Sequence, residues 1–297
     1  MSILPIRKSL ALSLSLCFFL SLSSQGATAL EKEAEMQKLL NQANQVFSGG
    51  NIDEALALIE EAIKIAPKNP KGHFGKGIVY RATREHEKAE QAFSKVVEVE
   101  PKATDAWALR GQERFKIGKV KASIQDFEKE IALDPKREPH HWQRGIAYYY
   151  TGQFSEGRNQ FELHQTVNPN DVENAVFHFV CLAQIEGFEA ARNALIEIGN
   201  DPRIPMAEIY RLYKGKGDEE RNVERIFEAV TRGQPEVAER NNRFFYAHLY
   251  IGLYFEAKGD EKKAEEHIRK AALEYPQKHY MGDVGRVHLY RIQGRLK

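Results

Sequence analysis

The sequence predicts an all-α fold, a right-handed superhelical solenoid of helical hairpins with a C-terminal capping helix. Three kinds of position recur with one period of 34 residues: prolines, small residues and large apolar residues. They are Pro67, Pro101, Pro135 and Pro169; Ala43, Gly77, Gly111 and Gly145; and Ile59, Phe93, Phe127 and Phe161. A shared period of this length is typical of stacked two-helix units, which bury their apolar faces against their neighbours.

Each recurring position has a physical reason within one hairpin. The small residue lies in the first helix, where a second helix must come close. A glycine such as Gly50, Gly118 or Gly152 ends the first helix, because glycine adopts the left-handed cap at little cost. Proline closes the unit because it cannot continue a helix, and it pushes the preceding residue out of helical geometry. Four tandem hairpins are therefore predicted over residues 30–171.

The phase changes after Pro169. Residues 172–235 are predicted to form a degenerate helical segment that only loosely resembles the repeat. A fifth clear hairpin follows within 236–297, where Gly252, Gly259 and Pro276 fall in phase. A last helix, roughly 282–295, is expected to cap the end of the stack, since a terminal repeat otherwise exposes its apolar face.

The repeat pattern resembles the tetratricopeptide repeat family. The third unit carries the family's residues at Trp107, Gly111, Phe127 and Pro135. The fourth unit departs from the pattern, with Gly157 and His164 where alanines are usual, and a looser second helix is expected there. The layout of the whole chain resembles the bacterial envelope proteins of the new lipoprotein I type. That resemblance implies an adaptor that binds other proteins, including envelope hydrolases or proteases.

The first 29 residues have the pattern of an export signal. Arg7 and Lys8 precede an apolar stretch over 10–22, and Ala29 completes a small-residue cleavage site. The stretch of about 13 residues is shorter than the roughly 20 needed to span a bilayer. Cleavage after Ala29 and a periplasmic or secreted location are predicted; an uncleaved anchor is the alternative. Cys17 follows Leu16 and not a small residue, which argues against lipid attachment.

Composition and motifs favour binding over catalysis. The formal net charge is +1, which gives no long-range attraction to nucleic acid or anionic lipid. The sequence has no glycine-rich phosphate loop, nucleophile elbow or zinc-protease motif. His140 and His141 are adjacent and would point apart on a helix. Accordingly, we expect no enzyme activity, no cofactor and no metal site. Cys181 lies in an apolar helical stretch and is expected to be buried and inert.

The concave face of the predicted solenoid is the expected binding surface, because first helices line it. The partner-binding residues predicted on this face are Lys71, Phe74, Arg81, Gln112, Phe115, Lys116, Trp142, Tyr149 and Tyr150. The aromatic members would anchor a peptide or a partner helix, and Arg81 and Lys116 would contact its acidic groups. Aromatic residues at helical spacing are also typical of a core, so packing against a neighbouring unit is the alternative for this set.

These observations predict a non-catalytic scaffold or adaptor in the cell envelope that binds proteins or peptides in its groove. The alternative is a self-associating structural protein. In that case the degenerate middle and the C-terminal helices would form the interface of a homodimer.

Overall fold

The computed structural model describes the backbone of residues 11–296 and the side chains of residues 28–296. Within that part the chain is helical and has no β-strand. Most of the predicted export signal lies outside the described residues. The segment with Arg7 and Lys8 and the side chains of the apolar stretch over 10–22 are not described. No helix in the described range is both long enough and apolar enough to cross a bilayer. The chain divides into two compact units: unit 1 ends at Pro101, and unit 2 begins at Lys102.

Unit 1 consists of two helical hairpins. Its helices are α1 (Ala11–Ser48), α2 (Ile52–Ile65), α3 (Pro70–Ala82) and α4 (His86–Val99). A Cβ atom added at Gly77 in α3 would lie 2.6 Å from Cε1 of Phe93 in α4, so the small residue allows the close approach of the two helices. Gly50 takes the predicted left-handed conformation, with φ of +87°. Arg84, which stands where the turn glycine is missing, adopts the same region with φ of +63°.

Unit 2 contains the remaining helices. They are α5 (Thr104–Lys116), α6 (Val120–Leu133), a 3₁₀ helix (Pro135–His140), α7 (Trp142–Thr151), α8 (Phe154–Gln165), α9 (Val172–Glu186), α10 (Phe188–Asn193), α11 (Met206–Tyr213), α12 (Glu219–Thr231), α13 (Val237–Lys258), α14 (Glu261–Arg269), a π-helical turn (Lys270–Glu274) and α15 (Tyr280–Ile292). The glycine–phenylalanine contact of unit 1 recurs at Gly111 with Phe127 and at Gly145 with Phe161. The hairpin prediction is thus confirmed in both units.

The degenerate middle of the chain forms the centre of unit 2. Its helix α9 is buried on nearly all sides and packs against α7, α8, α10, α11 and α13. A helix that is apolar all round belongs in a core, whereas an ordinary repeat helix buries only a stripe. The repeat phase changes in this segment because α9 contacts neighbours in several directions.

The second helix of the fourth unit is not loosened by its two unusual residues. A Cβ atom at Gly157 would lie 2.8 Å from Sγ of Cys181 in α9, so the cysteine occupies the space that an alanine methyl group would need. His164 Nδ1 donates a hydrogen bond of 2.9 Å to the Pro139 carbonyl. Cys181 is buried, as predicted, and burial raises the pKa of its thiol, which disfavours the reactive thiolate.

Candidate functional site

Three of the predicted partner-binding residues lie on α3 in unit 1. Lys71 is exposed, and its ammonium lies 3.1 Å from Oε1 of Glu33 in α1. Phe74 is half-buried and packs edge-on against Phe93, with ring centroids 5.7 Å apart. Arg81 is also half-buried. These side chains keep accessible surface, and their role in binding stays a prediction.

In unit 2 the expectation of an open aromatic surface is wrong for most of the predicted residues. Phe115, Lys116, Tyr149 and Tyr150 are all buried. The physical reason is α15, which packs on the last hairpin as predicted and also lies against α5. The Phe115 ring stacks on Tyr280 of α15, with centroids 5.5 Å apart. The chain's own C-terminal helix therefore occupies the surface that was predicted for a partner.

A buried polar cluster fixes α15 in this position. Glu256 of α13 accepts a hydrogen bond of 2.8 Å from the Tyr149 hydroxyl and pairs with Arg291 of α15. His288 Nε2 lies 2.7 Å from the same carboxylate, and the Tyr150 hydroxyl lies within hydrogen-bond distance of His288 Nδ1, at 3.0 Å. Burial would raise the pKa of Glu256, but His288 and Arg291 outweigh burial and hold it below its ordinary value. The carboxylate is consequently charged and links α7, α13 and α15.

The apolar pattern of α15 was the signal that could have indicated this packing. Met281, Val284, Val287 and Leu289 are all buried, and they cover more than one face of the helix. A helix that only caps a stack needs a single apolar stripe. The same burial means that the apolar surface of α15, expected to be available to a second copy, is covered within unit 2.

Gln112 of α5 lines an open cleft. The cleft has a volume of about 370 Å³, and Ala108, Arg137, His140 and His141 are among its other lining residues. Gln112 itself is half-buried. The Arg137 guanidinium is paired with Asp105, Glu130 and Asp134, and it is not a free cation. Within the lining of this cleft, Arg137 pairs with Glu130.

Trp142 keeps accessible surface in unit 2 and lines a second cleft, called the Trp142 cleft below. It has a volume of about 200 Å³. Its lining residues are Trp142, Ile146, Phe161, His164, Asp171, Glu173, Asn174, Phe177, Arg203 and Met281. The rings of Trp142, Phe161 and Phe177 supply apolar walls. Asp171 and Glu173 come from the start of α9, and Arg203 comes from the segment before α11.

The charged residues of the Trp142 cleft form one network. Arg203 pairs with Asp171 and Asp201, each at 2.6 Å, and also with Glu173. The Tyr250 hydroxyl donates a hydrogen bond of 2.5 Å to Glu173 Oε2. Burial raises the pKa of Glu173 to about 7, although the neighbouring Arg203 opposes the shift. Sequence reasoning missed this network, because Asp201 and Arg203 lie in an irregular segment outside the repeat.

No described group of three histidine, cysteine or acidic side chains could hold a metal ion. Cys181 is buried against Gly157 and does not line the Trp142 cleft. The chemistry that the cleft does offer is an aromatic surface beside paired charges.

The repeat can be compared with known proteins. Residues 47–113 match the tetratricopeptide repeat family. This stretch of the chain therefore carries tetratricopeptide repeats. A heat-shock protein cognate co-chaperone, sgt12 of Aspergillus fumigatus, is 28% identical over 134 residues, which cover 42% of this chain. That match spans 39% of the co-chaperone's own length.

Solved structures of tetratricopeptide proteins share the fold. A tetratricopeptide repeat protein from Parabacteroides merdae has a TM-score of 0.57 and 14% identity, covering 87% of this chain and 99% of its own. YrrB, described as a tetratricopeptide protein with an unusual peptide-binding site, has a TM-score of 0.53 and 20% identity. It covers 64% of this chain and 97% of its own. The predicted all-α hairpin fold is therefore confirmed, while the resemblance to the new lipoprotein I type stays a prediction.

Proposed function

We propose that this tetratricopeptide repeat protein is a non-catalytic interaction module of the cell envelope that binds proteins or peptides. In unit 2 we assign the contact to the Trp142 cleft. One observation carries this assignment: Trp142 keeps accessible surface beside a cleft, while the neighbouring rings of Phe115, Tyr149 and Tyr150 are buried. Tryptophan is enriched among residues that dominate binding energy at interfaces.

Two further observations support the proposal. A related protein is a co-chaperone, and a protein of the same fold is described as having a peptide-binding site. The charged groups of the cleft pair with one another around Arg203, which is the arrangement of a recognition surface and not of an activated nucleophile. The envelope location rests on the signal pattern of residues 1–29.

The binding test compares the proteins captured by the full chain and by two variants. Trp142→Ala removes the proposed anchor. Phe188→Ala is the matched control, because Phe188 is also half-buried and aromatic but lies beside Tyr254, outside the cleft. We expect a defined set of proteins to be lost with Trp142→Ala and retained with Phe188→Ala. Identical sets for all three chains would overturn the assignment of the cleft.

The location is tested separately, by sequencing the N-terminus of the protein after expression in its own host and fractionation. We expect a mature chain that begins at Leu30, in the envelope fraction. A chain that keeps Arg7 and Lys8 and stays in the cytoplasmic fraction would contradict the envelope part of the proposal.

A further inference from the structure

We propose that the Trp142 cleft receives a cationic group of the bound peptide, the ammonium of a lysine, the guanidinium of an arginine or a terminal amine. This inference rests on the proposed function, since it names the chemistry of the partner at the same cleft. It is carried by three properties of the cleft: an excess of carboxylates, a buried acceptor without a donor, and aromatic walls.

The carboxylates outnumber the cation. Asp171 and Glu173, which line the cleft, and Asp201, which does not, all pair with the single guanidinium of Arg203. Asp201 and Glu173 are shielded from water, with side chains 2% and 13% exposed. Charges in such surroundings interact more strongly than they do in bulk water. An entering cation would balance the excess negative charge, whereas an entering carboxylate would add to it.

Asn174 supplies an independent indication of a donor ligand. Its Nδ2 donates to the Phe161 carbonyl at 3.0 Å and to Gln165 Oε1 at 3.1 Å. Both amide hydrogens are thereby used, which fixes the orientation of the amide group. The Oδ1 atom is buried, and no group in the described part of the chain donates to it. Buried acceptors normally have a partner, and Asn174 lines the cleft, so an N–H group of a ligand would complete its hydrogen bonding.

The walls and the size of the cleft favour a single side chain. Trp142 supplies the accessible aromatic surface of the cleft, while the rings of Phe161 and Phe177 line it but are buried. Cations are attracted to the faces of aromatic rings. The volume of about 200 Å³ is below the roughly 300–1,000 Å³ of typical small-molecule sites. A lysine or arginine can pack its aliphatic stem against apolar surface while its charged end reaches acidic groups. The cleft thus fits one long basic side chain better than a whole small ligand.

The experiment titrates the full chain with short peptides of defined charge. Four acetylated, amidated glycine pentapeptides carry lysine, arginine, norleucine or glutamate at the centre, and a fifth has a free N-terminus and no basic residue. Binding is followed by the fluorescence of Trp142 in a Trp107→Phe background and repeated by calorimetry on the unsubstituted chain. We expect the lysine and arginine peptides to bind at least about tenfold more tightly than the norleucine and glutamate peptides. The fifth peptide shows whether a terminal amine is accepted as well.

Two variants locate the effect. At about pH 8, above the pKa of about 7 of Glu173, Glu173→Gln is expected to weaken binding of the lysine peptide by about tenfold, because it removes an ionised carboxylate from the cleft. Glu219→Gln is the matched control, since Glu219 also accepts a tyrosine hydroxyl, that of Tyr254 at 2.8 Å, but lies outside the cleft. It should leave binding unchanged.

Four results would overturn the inference: tightest binding of the glutamate peptide, equal binding of all peptides, equal effects of the two variants, or no binding by any peptide. If all peptides bind equally and Trp142→Ala still abolishes partner capture, the proposed function stands and only the cationic ligand is rejected. If Trp142→Ala leaves capture unchanged while the lysine peptide still binds at Glu173, the assignment of the cleft to the captured partners is rejected and the cation site stands.

Discussion

At the scale of single residues, the regular repeat and its exceptions are explained by pairs in which a small residue leaves room for a larger neighbour. Gly111 leaves room for Phe127, and Gly145 leaves room for Phe161, as the 34-residue period predicts. Gly157 is an exception to the family pattern because the Cys181 sulfur fills the missing volume from another helix. A glycine in an unusual place was visible in the sequence, but the partner that explains it lies in a different hairpin.

The pairing of Gly157 with Cys181 can be tested by a double-mutant cycle. Gly157→Ala places a methyl group 2.8 Å from the sulfur and is expected to cost about 1–3 kcal/mol of unfolding free energy. Cys181→Ala alone leaves a cavity and also destabilises the protein. The double variant should be more stable than the sum of the two single effects by about 1 kcal/mol, because the new methyl group enters the space left by the sulfur. Urea unfolding followed by circular dichroism measures all four free energies, and simple additivity would contradict the packing described here.

The Glu173 carboxyl predicts a pH dependence of stability. Burial raises its pKa from 4.5 to about 7. Between these values the folded chain holds a proton that the unfolded chain has lost, so stability decreases as the pH rises through this window. We expect Glu173→Gln to remove about 2 kcal/mol of that decrease, as measured by urea unfolding from about pH 5 to about pH 8.

Glu219→Gln provides the control for this measurement. Burial would raise the pKa of Glu219, but its hydrogen bonds with Lys258 and Tyr254 outweigh burial and lower it, so this group is ionised in both states across the window. Its variant should keep the pH slope of the unsubstituted chain. If the Glu173→Gln variant also keeps the pH slope of the unsubstituted chain, the Glu173 carboxyl has an ordinary pKa.

At the scale of secondary-structure elements, α15 has two roles. It covers the last hairpin, which was predicted, and it also packs against α5 and α7, which was not. Its attachment combines apolar contacts with the charged cluster around Glu256. A buried charge is strongly destabilising when it loses its partner, so displacing α15 would leave Glu256 without His288 and Arg291.

The attachment of α15 can be weakened by one substitution. Val287 is completely buried, and Val287→Asp would place a carboxylate among apolar side chains. We expect a loss of unfolding free energy of about 3 kcal/mol or more, increased binding of a hydrophobic dye, and new proteolytic cleavage in the segment before Tyr280. Gln293→Asp introduces a carboxylate at an exposed position, the C-cap of α15, and should have none of these effects. Equal behaviour of the two variants would contradict the buried position of α15.

At the scale of the whole chain, the sequence predicted what depends on contacts within one repeat or between adjacent repeats. The hairpins, their turn positions and the closing helix follow from residues spaced by 34, and the structure has them. The burial of Phe115, Tyr149 and Tyr150 could not be predicted in this way. It depends on pairs such as Tyr150 with His288 and Arg286 with the Lys116 carbonyl, which are 138 and 170 residues apart. A 34-residue repeat pattern contains no information about contacts between residues so far apart in the sequence.

The same long-range contacts affect how unit 2 unfolds. An open array of repeats contacts only its nearest neighbours, so its ends can fray while the centre stays folded. In unit 2 the last helix, α15, packs against the first, α5. It also supplies the partners of the Tyr150 hydroxyl and of the Glu256 carboxylate. Loss of the terminal helix therefore breaks contacts at both ends of the unit together. Closing so large a loop costs entropy and slows folding, and in return the unit gains cooperativity that a linear stack of hairpins lacks.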